Sequence, residues 1–419
     1  MSILITGAKI LDPLSPHHRK KTNIFIKDGI ITSIGGNMRK ADTVIEGDGA
    51  VLTPGWFDLQ ANFCDPGLEQ KEDLTSGRQV AMAGGFTEVA ILPNTNPVIQ
   101  SKNDIKYIKR DNSSELVLLW PLAAISRNTD GEDFTEILDL QSAGAIAFTD
   151  GLTPLWNADL LRKSLQYVQK FKGLIIDFPQ DKWLSQFGVM NEGVNSALLG
   201  MMGNPSLAEE VTVARDIQIL EYTGGRLHLA NLSSAKSVVL VKKAKAKGLN
   251  ITCDVAIHQL IYTDDSVLDF DSLYKTNPPL RTEKDRKALI KGLIDNTIDA
   301  IVTSHQPQDR ESKNLEFEHA KNGMNNMQVV LPMLNMIKSE IPFDKLVAKL
   351  TIGPRSIMGK DNPTIIKGAK ANLTLLKPME KWLYNAESNK SKSDNTPLFG
   401  QELIGKVVAV FNNGQYQEN

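Results

Sequence analysis

Apolar and polar positions divide the chain into two rhythms. Over residues 1–53, short apolar runs alternate with turns at 3–10, 23–27, 30–34, 43–46 and 51–52, and Asp28-Gly29 turns the second run into the third. The chain's last stretch repeats the style at 371–376 and 406–411, with a turn at Asn412-Asn413-Gly414. Neither end is long enough to bury a sizeable core alone. The pattern therefore predicts one small β-sandwich built from residues 1–53 and 364–419 together. Between them, apolar runs at 55–59, 87–92, 116–122, 145–148, 174–176, 226–230, 250–255 and 300–303 alternate with helical stretches. That alternation marks a parallel β/α fold, and its eight repeats predict an α/β architecture, a (β/α)8 barrel over residues 54–363. Barrel chemistry sits at the C-terminal ends of the strands.

The helices carry their own punctuation. Residues 206–222 open on Ser206, read as an N-cap, and stop at Gly224, while 233–247 stop at Gly248. The lysines of 242–247 suit the negative end of a helix dipole. The basic cluster at 17–21 reads as a surface loop, and 388–393 as a solvated, mobile one. The 419 residues are 41% hydrophobic and 23% charged, with a formal net charge of −2. Such a balance gives no reason to expect nucleic acid or a membrane as partner. Two cysteines, Cys64 and Cys253, are too few for a disulfide framework and fit a reducing cytoplasm. The opening residues lack signal-peptide anatomy and no apolar run approaches membrane-spanning length, so a cytoplasmic location is expected.

Chemistry is thin where it is expected to be dense. The first run ends at Gln60 and Asn62, the fourth in Phe148-Thr149-Asp150-Gly151, and the fifth in Asp177-Phe178-Pro179-Gln180-Asp181. The sixth ends at Asn231, the seventh at His258-Gln259 and the eighth at Ser304-His305. Two imidazoles two positions apart on a strand point the same way and can grip one metal ion. Gln60 and Asn62 keep that spacing but offer carboxamides, which are poor zinc ligands. A binuclear centre wants about four histidines and two acids. Of the chain's six histidines, only His258 and His305 lie just past a run end.

Ordered motifs then carry a resemblance. They are Thr53-Pro54-Gly55-Trp56-Phe57-Asp58, Lys71-Glu72-Asp73-Leu74-Thr75, Gly84-Gly85-Phe86-Thr87 and Pro93-Asn94-Thr95-Asn96-Pro97. Met190-Asn191-Glu192-Gly193, Ala214-Arg215-Asp216-Ile217, Asn277-Pro278-Pro279-Leu280-Arg281 and Ser393-Asp394-Asn395-Thr396-Pro397 continue the series. Over nearly its whole length the chain resembles the dihydroorotases of the amidohydrolase superfamily. The resemblance implies an amidohydrolase-type barrel with a zinc centre, and its ligand positions can be followed here. The paired strand-one histidines fall on Gln60 and Asn62. The bridging aspartate falls on Asp150, in a motif one residue shorter than the family's. The later histidines fall on Phe178 and Asn231, and the catalytic aspartate on Ser304. The arginine that grips the substrate carboxylate falls on Cys64, and a further substrate histidine on Gln308. Asn94 and Asn277 match the family's other substrate contacts.

A metal-bridging hydroxide and a proton-shuttling aspartate are both missing from this inventory, and the proton transfer alone is worth roughly 3–6 kcal/mol of barrier. The expectation is therefore a non-catalytic dihydroorotase homologue of pyrimidine biosynthesis, a pseudoenzyme with no resident cofactor. Asp150 is then the one surviving candidate ligand. The alternative is an active cyclic-amide hydrolase with a rebuilt site around Asp58, Asp150, Asp177 or His305, and zinc as its cofactor. A third reading is a small-molecule binding module in the barrel pocket. By family analogy, a non-catalytic chain would serve as a scaffold for aspartate transcarbamoylase, and a homo-oligomer fits the same role.

Overall fold

The structure, a computed structural model, describes residues 1–36 and 40–419. Its barrel sheet contains eight strands. They are β1 (Trp56–Ala61), β2 (Phe86–Ile91), β3 (Leu118–Ala123), β4 (Ala147–Phe148), β5 (Ile175–Asp177), β6 (Leu227–Leu229), β7 (Ile251–Ala256) and β8 (Ala300–Val302). All pair in parallel and in chain order. A parallel bridge between Ala61 and His305 brings β8 back to β1, and the Asn62 N–H donates to the His305 carbonyl at 3.0 Å. That contact closes the ring. Every residue of β1 and β2 is buried, as expected where helices cover one face and the barrel lumen the other. The strands begin and end within about two residues of the runs expected from hydropathy, because the pairing ladder, rather than apolarity, sets their limits.

The base of the barrel is pinned by a buried ion pair. Arg355, on the helix Phe343–Met358, reaches Glu88 of β2 at 2.7 Å and the Gly55 carbonyl at 2.8 Å. The Trp120 indole on β3 donates to the other Glu88 oxygen at 2.8 Å. One helix and three consecutive strand regions thus share a single charge site.

Both chain ends enter the second sheet, which also holds eight strands. Val51–Pro54 is its keystone. It runs parallel to Ser2–Ile10, pairing Ile10 with Leu52, and antiparallel to Leu373–Leu383, pairing Leu52 with Leu375. The sheet closes over a core containing Ile5, Ile10, Ile24, Leu52, Leu375 and Phe411. This is the β-sandwich expected from the two end patterns. No helix among the described residues is long and apolar enough to cross a membrane.

Two local expectations need correction. Ser206 is the first residue of the helix Ser206–Thr223, with Pro205 at the cap position, and its hydroxyl donates to Glu210 at 3.1 Å. Proline has no N–H to donate, but its fixed φ still lets it stand at a helix entrance. The stretch 388–393 is tied to the barrel. Gln328 donates to the Ser388 carbonyl at 2.7 Å, Asn325 to the Ser393 carbonyl at 2.7 Å, and Ser391 to Glu72 at 2.5 Å. Its polar composition reads as a solvated loop, but those polar groups are spent on buried partners.

Candidate functional site

The residues past the strand ends form two hydrogen-bonded networks across the barrel mouth. In the first, Asp254 of β7 is the hub. Its carboxylate accepts from Gln60 Nε2 at 2.5 Å, from His228 Nε2 at 2.8 Å and from the Asn231 backbone N–H at 2.6 Å. Asn231 Nδ2 then donates to Gln60 Oε1 at 3.2 Å. β1 neighbours β2 and β8, so a Gln60 bond to β7 must cross the lumen. The His228 ring is occupied at both nitrogens, since Nδ1 lies 2.8 Å from the Thr252 hydroxyl.

The second network runs along the other side. Asn62 accepts from the Cys64 N–H at 2.9 Å and donates to the Asn94 carbonyl at 3.5 Å. Asn94 donates to the Asp150 carbonyl at 3.0 Å and accepts from the Leu152 N–H at 2.8 Å. The Asp150 carboxylate is engaged elsewhere, accepting from the N–H groups of Ile125 and Ser126 at 2.9 Å each and from the Ser126 hydroxyl at 2.6 Å. Burial raises its pKa to about 6 against those bonds. Gly151 follows with φ +64°, and a Cβ there would stand 1.9 Å from Asn94 Oδ1. Only glycine allows this approach.

The remaining candidates are placed as follows. Phe178 is buried just after β5. Asn277 exchanges amide bonds with Gln180 at 3.0 and 3.2 Å. Gln308 accepts from Lys71 Nζ at 2.6 Å and donates to the Asn322 carbonyl at 2.8 Å. Ser304 takes a left-handed backbone, as do Cys64 and Asn231 (φ +48°, +61° and +53°). Such positions cost of order 1–3 kcal/mol each outside glycine, least for asparagine. The Cys64 thiol is pushed up to about 12 by burial, so it is no ready nucleophile.

Of the residues proposed for a rebuilt site, the three acids have hydrogen-bond partners, whereas both ring nitrogens of His305 are buried without one. Asp58 accepts from the N–H of Thr303 at 3.0 Å and from its hydroxyl, and burial lifts its pKa to about 7. Burial and the charge of Asp216 raise Asp177 well above the carboxylate range, with Arg215 3.5 Å away. His305 Nε2 lies 3.6 Å from Glu72, and its ring meets Phe63 edge-on with centroids 5.9 Å apart. Asp254 and Glu72 were not singled out by sequence reasoning. The signal available was physical: an acid in the middle of a strand such as 251–256 must find buried donors.

The donor set can be tested against zinc on chemistry alone. Gln60 and Asn231 contribute amides bonded to each other, Asn62 contributes an amide bonded locally, and Phe178 has no donor atom. No group of three or more His, Cys, Asp or Glu side chains among the described residues is arranged to hold a metal ion. Zinc's preferred thiolate, imidazole and carboxylate ligands do not converge here. The residues present do not fit the metal.

Comparison with known proteins fixes the lineage. A "Dihydro-orotase-like" family model matches residues 49–237. The dihydroorotase of Syntrophus aciditrophicus is 36% identical over 427 residues, spanning 100% of both chains. That of Acetivibrio thermocellus is 38% identical over 421 residues, 98% of each. The chain belongs to the dihydroorotase family. Among solved structures, L-hydantoinase (dihydropyrimidinase) from Arthrobacter aurescens superposes with a TM-score of 0.85 at 20% identity, covering 99% of this chain and 95% of that one. A D-hydantoinase from Thermus sp. gives 0.79 at 19%, covering 100% and 97%. That likeness establishes the amidohydrolase-type fold. The dihydroorotase motifs also meet in space: Arg281 donates to Asn191 Oδ1 at 3.0 Å and to the Asn204 carbonyl at 2.6 Å.

Proposed function

We propose that this dihydroorotase-family chain acts in pyrimidine metabolism without running metal-hydroxide hydrolysis at its barrel mouth. One observation carries the reading. Gln60, Asn231 and Asp254, which cross the lumen where family ligands would converge, are bonded to one another, and Asn231 Oδ1 alone of their side-chain atoms is buried without a partner. A ligand shell must offer free lone pairs to a cation, and a carboxamide bonded to a carboxylate offers few. The strand-eight position that would shuttle protons holds Ser304, whose hydroxyl cannot act as a carboxylate base near neutral pH. Cys64 also removes the charged grip on a substrate carboxylate.

What is retained is the scaffold, and a chain kept for its surface is expected to have a protein partner. Aspartate transcarbamoylase is the first choice, on the family analogy alone. The test is co-purification from the native cell, with transcarbamoylase assembly and activity compared with and without this chain. Independent migration at micromolar concentration, with activity unchanged, would remove the partner role.

A second reading has observations in its favour. The curated relatives are named dihydroorotase and match end to end, and the strained backbone at Cys64 and Ser304 is the kind held at working sites. On this reading the chain hydrolyses a cyclic amide with a rebuilt, zinc-dependent site. Steady-state hydrolysis of dihydroorotate by the zinc-supplemented protein, abolished by chelation, is the outcome that would establish it.

A further inference from the structure

The outer wall of the barrel carries a groove that the mouth does not use. On the helix Ala158–Val168, residues 160, 161, 164, 165 and 168 are buried against the core. Positions 163, 166, 167 and 170, at helical spacing, therefore share an outward face. Together with Phe134, Thr135, Glu136 and Ile137 they line a cavity of about 630 Å³. That volume lies within the roughly 300–1,000 Å³ of small-molecule sites.

One side of the groove is apolar and the other donates hydrogen bonds. Phe134 and Ile137 belong to the apolar side and pack into the barrel core behind it. On the helix side, Arg162 donates to Gln166 Oε1 at 3.1 Å, which leaves the Gln166 amide nitrogen to donate outward. That nitrogen, the Tyr167 hydroxyl and the Lys170 ammonium have no hydrogen-bond or ionic partner among the described residues. Lys163 is already held by Asp159 at 2.7 Å, and Glu136 is the one acid among the lining residues. Three free donors, one of them charged, match an acceptor-rich anion. The Tyr167 ring, 48% exposed, offers a flat face for an aromatic body.

The apolar side is also wired to the barrel mouth. Ser126 and Phe134 form an antiparallel bridge, and the Thr135 N–H donates to the Ile125 carbonyl at 2.9 Å. The Thr135 hydroxyl donates to the Ala124 carbonyl at 2.7 Å. Ile125 and Ser126 are the residues whose N–H groups hold the Asp150 carboxylate. Restraining 134 and 135 therefore restrains the segment that cradles Asp150.

We propose that this groove is an effector site for a small aromatic anion, its ring between Phe134 and Tyr167 and its charge at Lys170, and that its occupancy steadies the cradle of Asp150. The site is separate from the mouth, so the proposal stands whether or not the mouth hydrolyses anything.

The test is calorimetric titration of the full chain with 2-naphthoate and with uncharged 2-naphthamide, which differ little in shape. The naphthoate is expected to bind one equivalent with Kd below about 1 mM, at least about 5-fold tighter than the amide. Lys170→Glu should weaken the naphthoate about 10-fold, and Glu136→Gln should tighten it about 2-fold. Tyr167→Ala should weaken both compounds alike. These three side chains are exposed, so the substitutions spare the fold, and Lys243→Glu on the helix Ala235–Ala246 controls for net charge. Hydrogen exchange at saturating naphthoate should slow over 124–135 and over 148–152. The site is refuted by absence of saturable binding, by equal affinity for the amide, or by a Lys170→Glu response no larger than that of Lys243→Glu. Binding that leaves exchange over 124–126 and 148–152 unchanged would overturn the link to Asp150.

Discussion

Asp254→Leu is the perturbation that most directly probes whether the barrel mouth is a structural plug. The carboxylate now accepts from Gln60 Nε2, His228 Nε2 and the Asn231 N–H, and both Asp254 and His228 are fully buried. Leucine fills a similar volume and accepts nothing. Each stranded buried donor costs about 1–3 kcal/mol, so three would cost about 3–9 kcal/mol. The Gln60 amide ends a flexible side chain and can turn, which brings the expectation to about 3–6 kcal/mol. Asp254→Asn keeps one acceptor and loses charge assistance, for about 1.5–3 kcal/mol. Guanidinium unfolding followed by tryptophan fluorescence and circular dichroism reads both values. The double variant Gln60→Leu with Asp254→Leu removes a donor with its acceptor, so it should fall short of the summed single effects by about 1–3 kcal/mol. A loss below about 1 kcal/mol for Asp254→Leu, or strict additivity, would refute the reasoning.

Glu88→Ala should cost about 3–5 kcal/mol in the same assay, because it strands the buried Arg355 guanidinium; a loss near zero would deny the ion pair its pinning role. Gln60→His with Asn62→His should leave dihydroorotate hydrolysis at background even with zinc added, since Phe178, Asn231 and Ser304 still supply no ligand or proton carrier; recovered turnover would contradict this. Burial lowers His258 from 6.5 to about 4, so the unfolded chain takes up this proton first and the folded state loses stability as pH falls from 6.5 to 4, by up to roughly 3 kcal/mol. Asp58 and Asp150 act in the opposite direction, their raised values favouring the folded state at low pH and losing that advantage as pH rises through about 7 and about 6. Comparing the parent with His258→Gln isolates the histidine: the variant's stability deficit at pH 7 should narrow toward pH 4.5, and a constant gap would show that His258 does not titrate this way.

Much of the fold was legible in the chain because each barrel strand is short, apolar and separated from the next by a capped helix. The β-rich ends were equally legible, and their failure to bury a core alone predicted that they would share a sheet. The site was legible only by substitution: Gln60, Asn62, Phe178, Asn231 and Ser304 stand at strand ends where the dihydroorotase motifs call for other residues. The partners those residues would choose were not legible. Nothing in local sequence says that Gln60 reaches across to Asp254, because the bond joins positions 194 residues apart through barrel closure. The stretch 388–393 misled for the same reason. Its serines and lysines mark a solvated loop by composition, whereas Glu72 and Asn325 bind its serines from distant parts of the chain.

Zinc binding is the measurement that bears most directly on the proposed function. The purified chain, stripped with chelator and dialysed against micromolar zinc, would be assayed for bound metal and, in parallel, for dihydroorotate hydrolysis. With its amides bonded to one another and to Asp254, the mouth should retain no tightly held zinc, and hydrolysis should stay at the buffer rate. About two equivalents of zinc surviving dialysis, as in a binuclear hydrolase, together with turnover that chelation abolishes, would contradict the account.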